Sequence, residues 1–116
     1  MLSISVYDNI IFDEQNAHAE SLFVDRGGRV LRFALKPGQM IGEHNAPSSP
    51  MYILIMQGSG IFSGGDQKAQ RFGRGMMLAF DVGETHAILA EDEELVFLAF
   101  LHGVPEELKG ISPELE

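Results

Sequence analysis

The sequence predicts an all-β sandwich or barrel, and three features point to it. Thirteen glycines break a chain of 116 residues into short apolar segments. Turn signals recur about every 8 to 12 residues, the spacing of strands in sandwiches and barrels. No long stretch repeats its apolar residues at the roughly 3.6-residue period of a helix.

The elements follow in order. The polar "DEQNAHAE" (13–20) is short enough for a helical turn or an extended arm, with His18 solvated. "SLFVDRGGRVLRFALKPGQ" reads as two strands around a Gly27-Gly28 turn, ended by Pro37-Gly38. A strand through His44 comes next. "MYILIMQGSGIFSGGDQKAQRF" reads as a strand, a Gly58–Gly60 bend, a short strand and a hairpin at "GGDQ". "MMLAFDVGETHAILAEDEELVFLAFLHG" supplies three strands, divided at "DVGE" and "EDEE". At the end, "VPEELKGISPELE" carries Pro105 where a first helical turn accepts it, with acids following, so a short C-terminal helix is expected.

Alternation assigns faces. In "MYILIM", Met51, Ile53 and Ile55 share one side while Tyr52, Leu54 and Met56 share the other. Both sides are apolar, as they are in "LVFLAFL", and such strands are covered on both faces. In a chain this short the second cover is expected from another subunit, hence a homodimer. Met51, Met56, Met76 and Met77 read mainly as core filler, because methionine fits irregular gaps.

Composition narrows the function classes. At 116 residues, one domain spanning 1–116 is expected, and 45% hydrophobic residues suffice for a core. Seventeen acidic against eight basic residues give a net charge of -9, without the clustered cations that nucleic acid or an anionic membrane surface demands. No apolar run approaches the roughly 18 to 20 residues of a membrane span. "MLSISVYDN" lacks the basic-then-apolar pattern of a secretory leader, and cysteine is absent. A cytoplasmic protein is the expectation. The acid run Glu91 to Glu94 reads as a solvated turn, and Asp81 as a turn residue. "GSG" at 58–60 is no phosphate loop, since neither a helix start nor a lysine follows it.

Two spacings carry chemistry. Gly38 is followed after five residues by His44, after one more by Ala46, after four by Met51 and after six by Gly58. Gly75 is followed after five residues by Asp81, after one by Gly83, after two by His86 and after three by Ala90. Over about residues 28–101 this resembles the cupin superfamily, with its glycine, His-x-His, glutamate and glycine, then glycine, Pro-x-Gly, histidine and often asparagine. The resemblance implies a double-stranded β-helix, a jelly-roll barrel of two antiparallel sheets enclosing a pocket. It also implies a site built from His44, Ala46, Met51 and His86. Metal-bearing cupins use three histidines and a glutamate. Here alanine and methionine stand at two of those positions, leaving His44 and His86 as the metal-ligand candidates.

Two neutral imidazoles fall short of the three or four protein ligands that a catalytic divalent metal ordinarily takes. Glu43 and Asn45 flank His44, and alternation turns them to the opposite face unless a bulge intervenes. Met51 offers a thioether, which suits copper(I). His102 ends an apolar strand in a register that the sequence leaves open. The favoured function is a cup for a small molecule, metal-free or holding a divalent transition metal only weakly. The alternative is a cupin enzyme of oxygenase or isomerase type that uses His44 and His86 as ligands or as acid and base. A third reading is a dimerising domain with a filled, inert interior.

Overall fold

A computed structural model of the chain describes residues 1–47, 49–65 and 68–102. It contains β1 (His18–Asp25), β2 (Gly28–Leu35), β3 (Met40–His44), β4 (Met51–Gln57), β5 (Ser59–Gly64), β6 (Gln70–Gly73), β7 (Met77–Phe80), β8 (His86–Leu89) and β9 (Leu95–His102). There is no helix among the described residues, and the expected C-terminal helix lies outside them.

The strands form two antiparallel sheets, β1-β2-β9-β4-β7 and β3-β8-β5-β6. Their inner faces share one core. Leu35, Ile53, Ile55, Leu95, Phe97 and Ala99 of the larger sheet meet Phe62 and Ile88 of the smaller one. Phe97 links the layers: it stacks on Phe33 at 4.9 Å and meets Phe62 across the sandwich edge-on at 6.0 Å. β9 is central in its sheet, pairing with β2 on one side and β4 on the other, so its backbone is hydrogen-bonded along both edges.

Turns close where the residues allow. Asp25 pairs with Gly28 across the first hairpin, which makes Arg26-Gly27 the two-residue loop, one position earlier than the glycine pair suggests. The Asp25 carboxylate accepts the Gly27 and Gly28 N–H groups at 2.8 and 3.1 Å. Gly58, with φ of 77°, turns β4 into β5, and a Cβ there would run into the Glu94 carbonyl oxygen. Only glycine fits. Residues 13–16 form a turn instead of a helix. The Asp13 carboxylate accepts the Asn16 and Gln15 N–H groups, which stabilise its charged form and hold its pKa below the ordinary carboxylate value.

The outer face of the larger sheet holds a second apolar cluster: Ala34, Met56, Val96 and Leu98. The chain covers part of it with its own N-terminal segment, through Val6, Ile10 and Phe12. Arg32 fixes that segment. Only 3% exposed, its guanidinium donates to the carbonyl oxygens of Val6, Asp8 and Asn9 and pairs with Glu20 at 2.8 Å. A buried cation of this kind is stable because its N–H groups are shared out among fixed acceptors.

Methionine assignments split. Met51 and Met56 are buried, whereas Met76 and Met77 are exposed at 43% and 62% because they lie at the start of the edge strand β7. Neither is core filler. The acid run between β8 and β9 is exposed, with Arg71 paired to Glu91 and Asp92.

Candidate functional site

His44 closes β3 and His86 opens β8, and the two are cross-strand partners. Ile41 pairs with Ile88, yet His44 pairs with His86, so β3 spends one residue more than β8 between these rungs. That bulge has a consequence. Ile41 and His44 are three apart and would face opposite ways in a regular strand, but both line the same cavity. The imidazoles meet edge to face, with ring centroids 5.5 Å apart.

The rings sit in different surroundings. His86 is buried at 4% exposure, against Phe80 at 5.1 Å, and its Nδ1 lies 3.3 Å from the Glu84 carbonyl oxygen. A carbonyl only accepts, so this hydrogen bond requires the proton on Nδ1. His44 is exposed at the rim. Met51, the first residue of β4, points inward with Ile53 and Ile55 as alternation predicts.

The cavity measures about 250 Å³ and is lined by Leu31, Phe33, Ile41, His44, Met51, His86, Ile88, Phe97 and Leu101. Three of the four motif positions therefore converge here. Ala46 does not join them. β3 ends at His44, and Ala46 lies in the following turn, buried in the core cluster but outside the lining. Its carbonyl accepts the Gly83 N–H at 2.9 Å, and the hydroxyl of buried Ser49 accepts the His102 N–H at 2.9 Å. The loop after β3 is thus tied to the β7–β8 connection and to the end of β9. The motif glycines at 38, 58, 75 and 83 all have positive φ.

His102 faces away from the cavity. It lies edge-on to Tyr52 at 5.8 Å on the outer side of the larger sheet. Sequence reasoning also missed Arg32, although its place between Leu31 and Phe33 in an apolar strand is the signal that marks a buried, paired cation.

The donors among the described residues fall short of the set that a catalytic divalent metal ordinarily takes. Among the described residues there is no group of three or more His, Cys, Asp or Glu side chains able to hold an ion. Two imidazoles and one thioether line the cavity, and none of its described lining residues is acidic. Zinc, manganese or iron in catalytic sites draws on a third nitrogen or oxygen donor.

No family model matches the chain, and no curated protein matches it. Solved structures do. An RmlC-like cupin protein from Desulfovibrio desulfuricans superposes with a TM-score of 0.79 at 21% identity, over 88% of this chain and 96% of that one. The chain has the cupin fold. A conserved protein with a double-stranded β-helix domain from Klebsiella pneumoniae aligns on this cupin barrel with a TM-score of 0.80 at 16% identity, covering 86% and 88% of the two chains. A predicted oxalate decarboxylase from Thermotoga maritima aligns with a TM-score of 0.68 at 23% identity, covering 76% and 81%. At such identities the likeness concerns the cupin barrel itself, and chemistry has to come from the site.

Proposed function

We propose that this cupin barrel binds a small organic molecule in the cavity beside His44 and His86, and that it works metal-free or with only weak metal binding. One observation carries this reading: two imidazoles share an apolar cavity of about 250 Å³ that has no third metal donor of the usual kind among its described lining residues. That volume exceeds the roughly 150 Å³ that suffices for benzene in an apolar cavity. It argues against a filled, inert interior. Apolar walls supply affinity, and a few convergent polar groups fix orientation.

Metal analysis of untagged protein tests the metal-free half. A transition metal held at one ion per chain through dialysis would count against it. Binding is tested by protein-observed NMR with small aromatic compounds, with signals from Phe33 and Phe97 reporting on occupancy.

The alternative is catalysis. Two adjacent imidazoles, one at the rim and one buried, are suited to pass a proton between neighbouring atoms of a bound molecule near neutral pH. A cupin oxygenase or isomerase using them as metal ligands would need further donors from substrate or water. Turnover of a bound compound that survives both His44→Ala and His86→Ala would refute the catalytic reading.

A further inference from the structure

We infer a second binding site, independent of the function proposed above: a groove between the edge strands β6 and β7 that takes an apolar α-amino acid. β6 ends the smaller sheet and β7 ends the larger one, so the sandwich has an open side there. The groove measures about 250 Å³, and its lining includes Phe62, Phe72, Leu78 and Phe80. Lys68 and Glu84 are the charged residues among those described around it.

The carboxylate is the fixed part. Glu84 is half-buried, and its Oε1 accepts the Asp81 N–H at 2.8 Å while its own N–H donates to the Asp81 carbonyl at 2.9 Å. Its other oxygen, Oε2, lies over Gly64 and Gly65, where an added Cβ would stand 2.9 and 3.0 Å from it. A Cβ at Gly64 would also come within 2.7 Å of the Phe80 ring. Glycine at 64 thus lets the carboxylate and an aromatic wall close on one spot. An acceptor held in this way loses little freedom when a donor arrives. Lys68 is exposed, two residues before β6. Among the described residues neither Lys68 nor Glu84 has an ion-pair partner, and they do not pair with each other.

Charge and lining choose the ligand. Phenylalanine and leucine walls offer no hydrogen bonds, so a sugar would strand its hydroxyls against them. A phosphate would meet the Glu84 carboxylate at close range. A lone amine sets a like charge beside Lys68, and a lone carboxylic acid sets one beside Glu84. A zwitterion with an apolar side chain answers all three features. Its ammonium donates to Glu84 Oε2, its carboxylate faces Lys68, and its side chain lies on the rings.

The test is protein-observed NMR on the untagged full chain at about pH 7, where a free amino acid carries both charges. The ligands are phenylalanine, leucine, glycine, N-acetylphenylalanine and phenylalanine amide. Phenylalanine and leucine are expected to saturate at about millimolar concentration, shifting Phe72, Leu78 and Glu84 together. Glycine, lacking the apolar side chain, should bind at least about tenfold more weakly. Loss of the ammonium in the N-acetyl form should weaken binding about tenfold. Loss of the carboxylate in the amide should weaken it about threefold, because an exposed lysine contributes less. In Glu84→Gln, phenylalanine and its N-acetyl form should bind within about twofold of each other. In Lys68→Met, a change at an exposed position, the same should hold for phenylalanine and its amide.

A charge preference that survives in the matching variant overturns the proposal, because that group then meets something else. Equal affinity of the native chain for phenylalanine, its amide and its N-acetyl form overturns it as well. So does glycine binding as tightly as phenylalanine, or shifts confined to Phe33 and Phe97 of the other cavity. Failure to saturate by about 20 mM overturns it too, and leaves Lys68 and Glu84 as ordinary surface charges. None of these outcomes counts against the function proposed above.

Discussion

His86 is 4% exposed and packs on Phe80, whereas His44 lies exposed at the rim, so equal truncations should have unequal costs. His86→Ala is expected to lower stability by about 2 kcal/mol through lost packing and an enlarged cavity. His44→Ala should change it by less than about 0.5 kcal/mol. Urea unfolding of the two variants checks this, and similar losses would show that the rim histidine is structural. Arg32 is the other telling residue. Arg32→Met removes a buried ion pair and leaves the carbonyl oxygens of Val6, Asp8 and Asn9 without their donor. We expect a loss of about 3 kcal/mol by the same measurement, with release of the N-terminal segment seen as faster amide exchange there.

β9 is the element on which both layers depend. It pairs on both edges, and five consecutive residues, Leu95 to Ala99, are buried. Phe97→Ala removes the ring that touches both sheets and is expected to cost about 4 kcal/mol, read as a lowered melting temperature. Amide exchange should be slowest in β9 and fastest along the edge strand β1. A protection pattern with β1 as slow as β9 would show that its edge is covered. Strand positions from β4 onward were legible because glycines and acids interrupt them. The bulge in β3 was not read, although Gly42 between Ile41 and His44 is the residue type that often marks one inside a strand. It is the cross-strand pairing with β8 that makes room for one.

For the whole molecule, the chain covers only part of its outer apolar face. Leu2 (62% exposed), Ile4 and Phe23 remain accessible around the N-terminal segment and the edge strand β1. Three large side chains on one face are more than scattered exposure, and a second copy would bury them. We expect light scattering to give twice the chain mass, and Phe23→Glu to reduce it to one chain. A monomer at about 100 μM would leave the N-terminal segment as the sole cover. No helix among the described residues is long and apolar enough to cross a membrane.

Turn spacing by itself determined an all-β sandwich or barrel, and strand alternation the inward side of β4. The likeness of the glycine and histidine spacing to the cupin motifs singled out the jelly roll and the pair His44 and His86. These are local properties, because a positive φ or a period of two is written in the residue and its neighbours. Tertiary structure alone decided that His44 turns inward through a bulge, that Ala46 falls outside the lining, that His102 faces away, and that Arg32 is buried on the chain's own N-terminus. Each of those depends on which distant strand lies alongside, and pairing partners are chosen by the packing of the whole sheet.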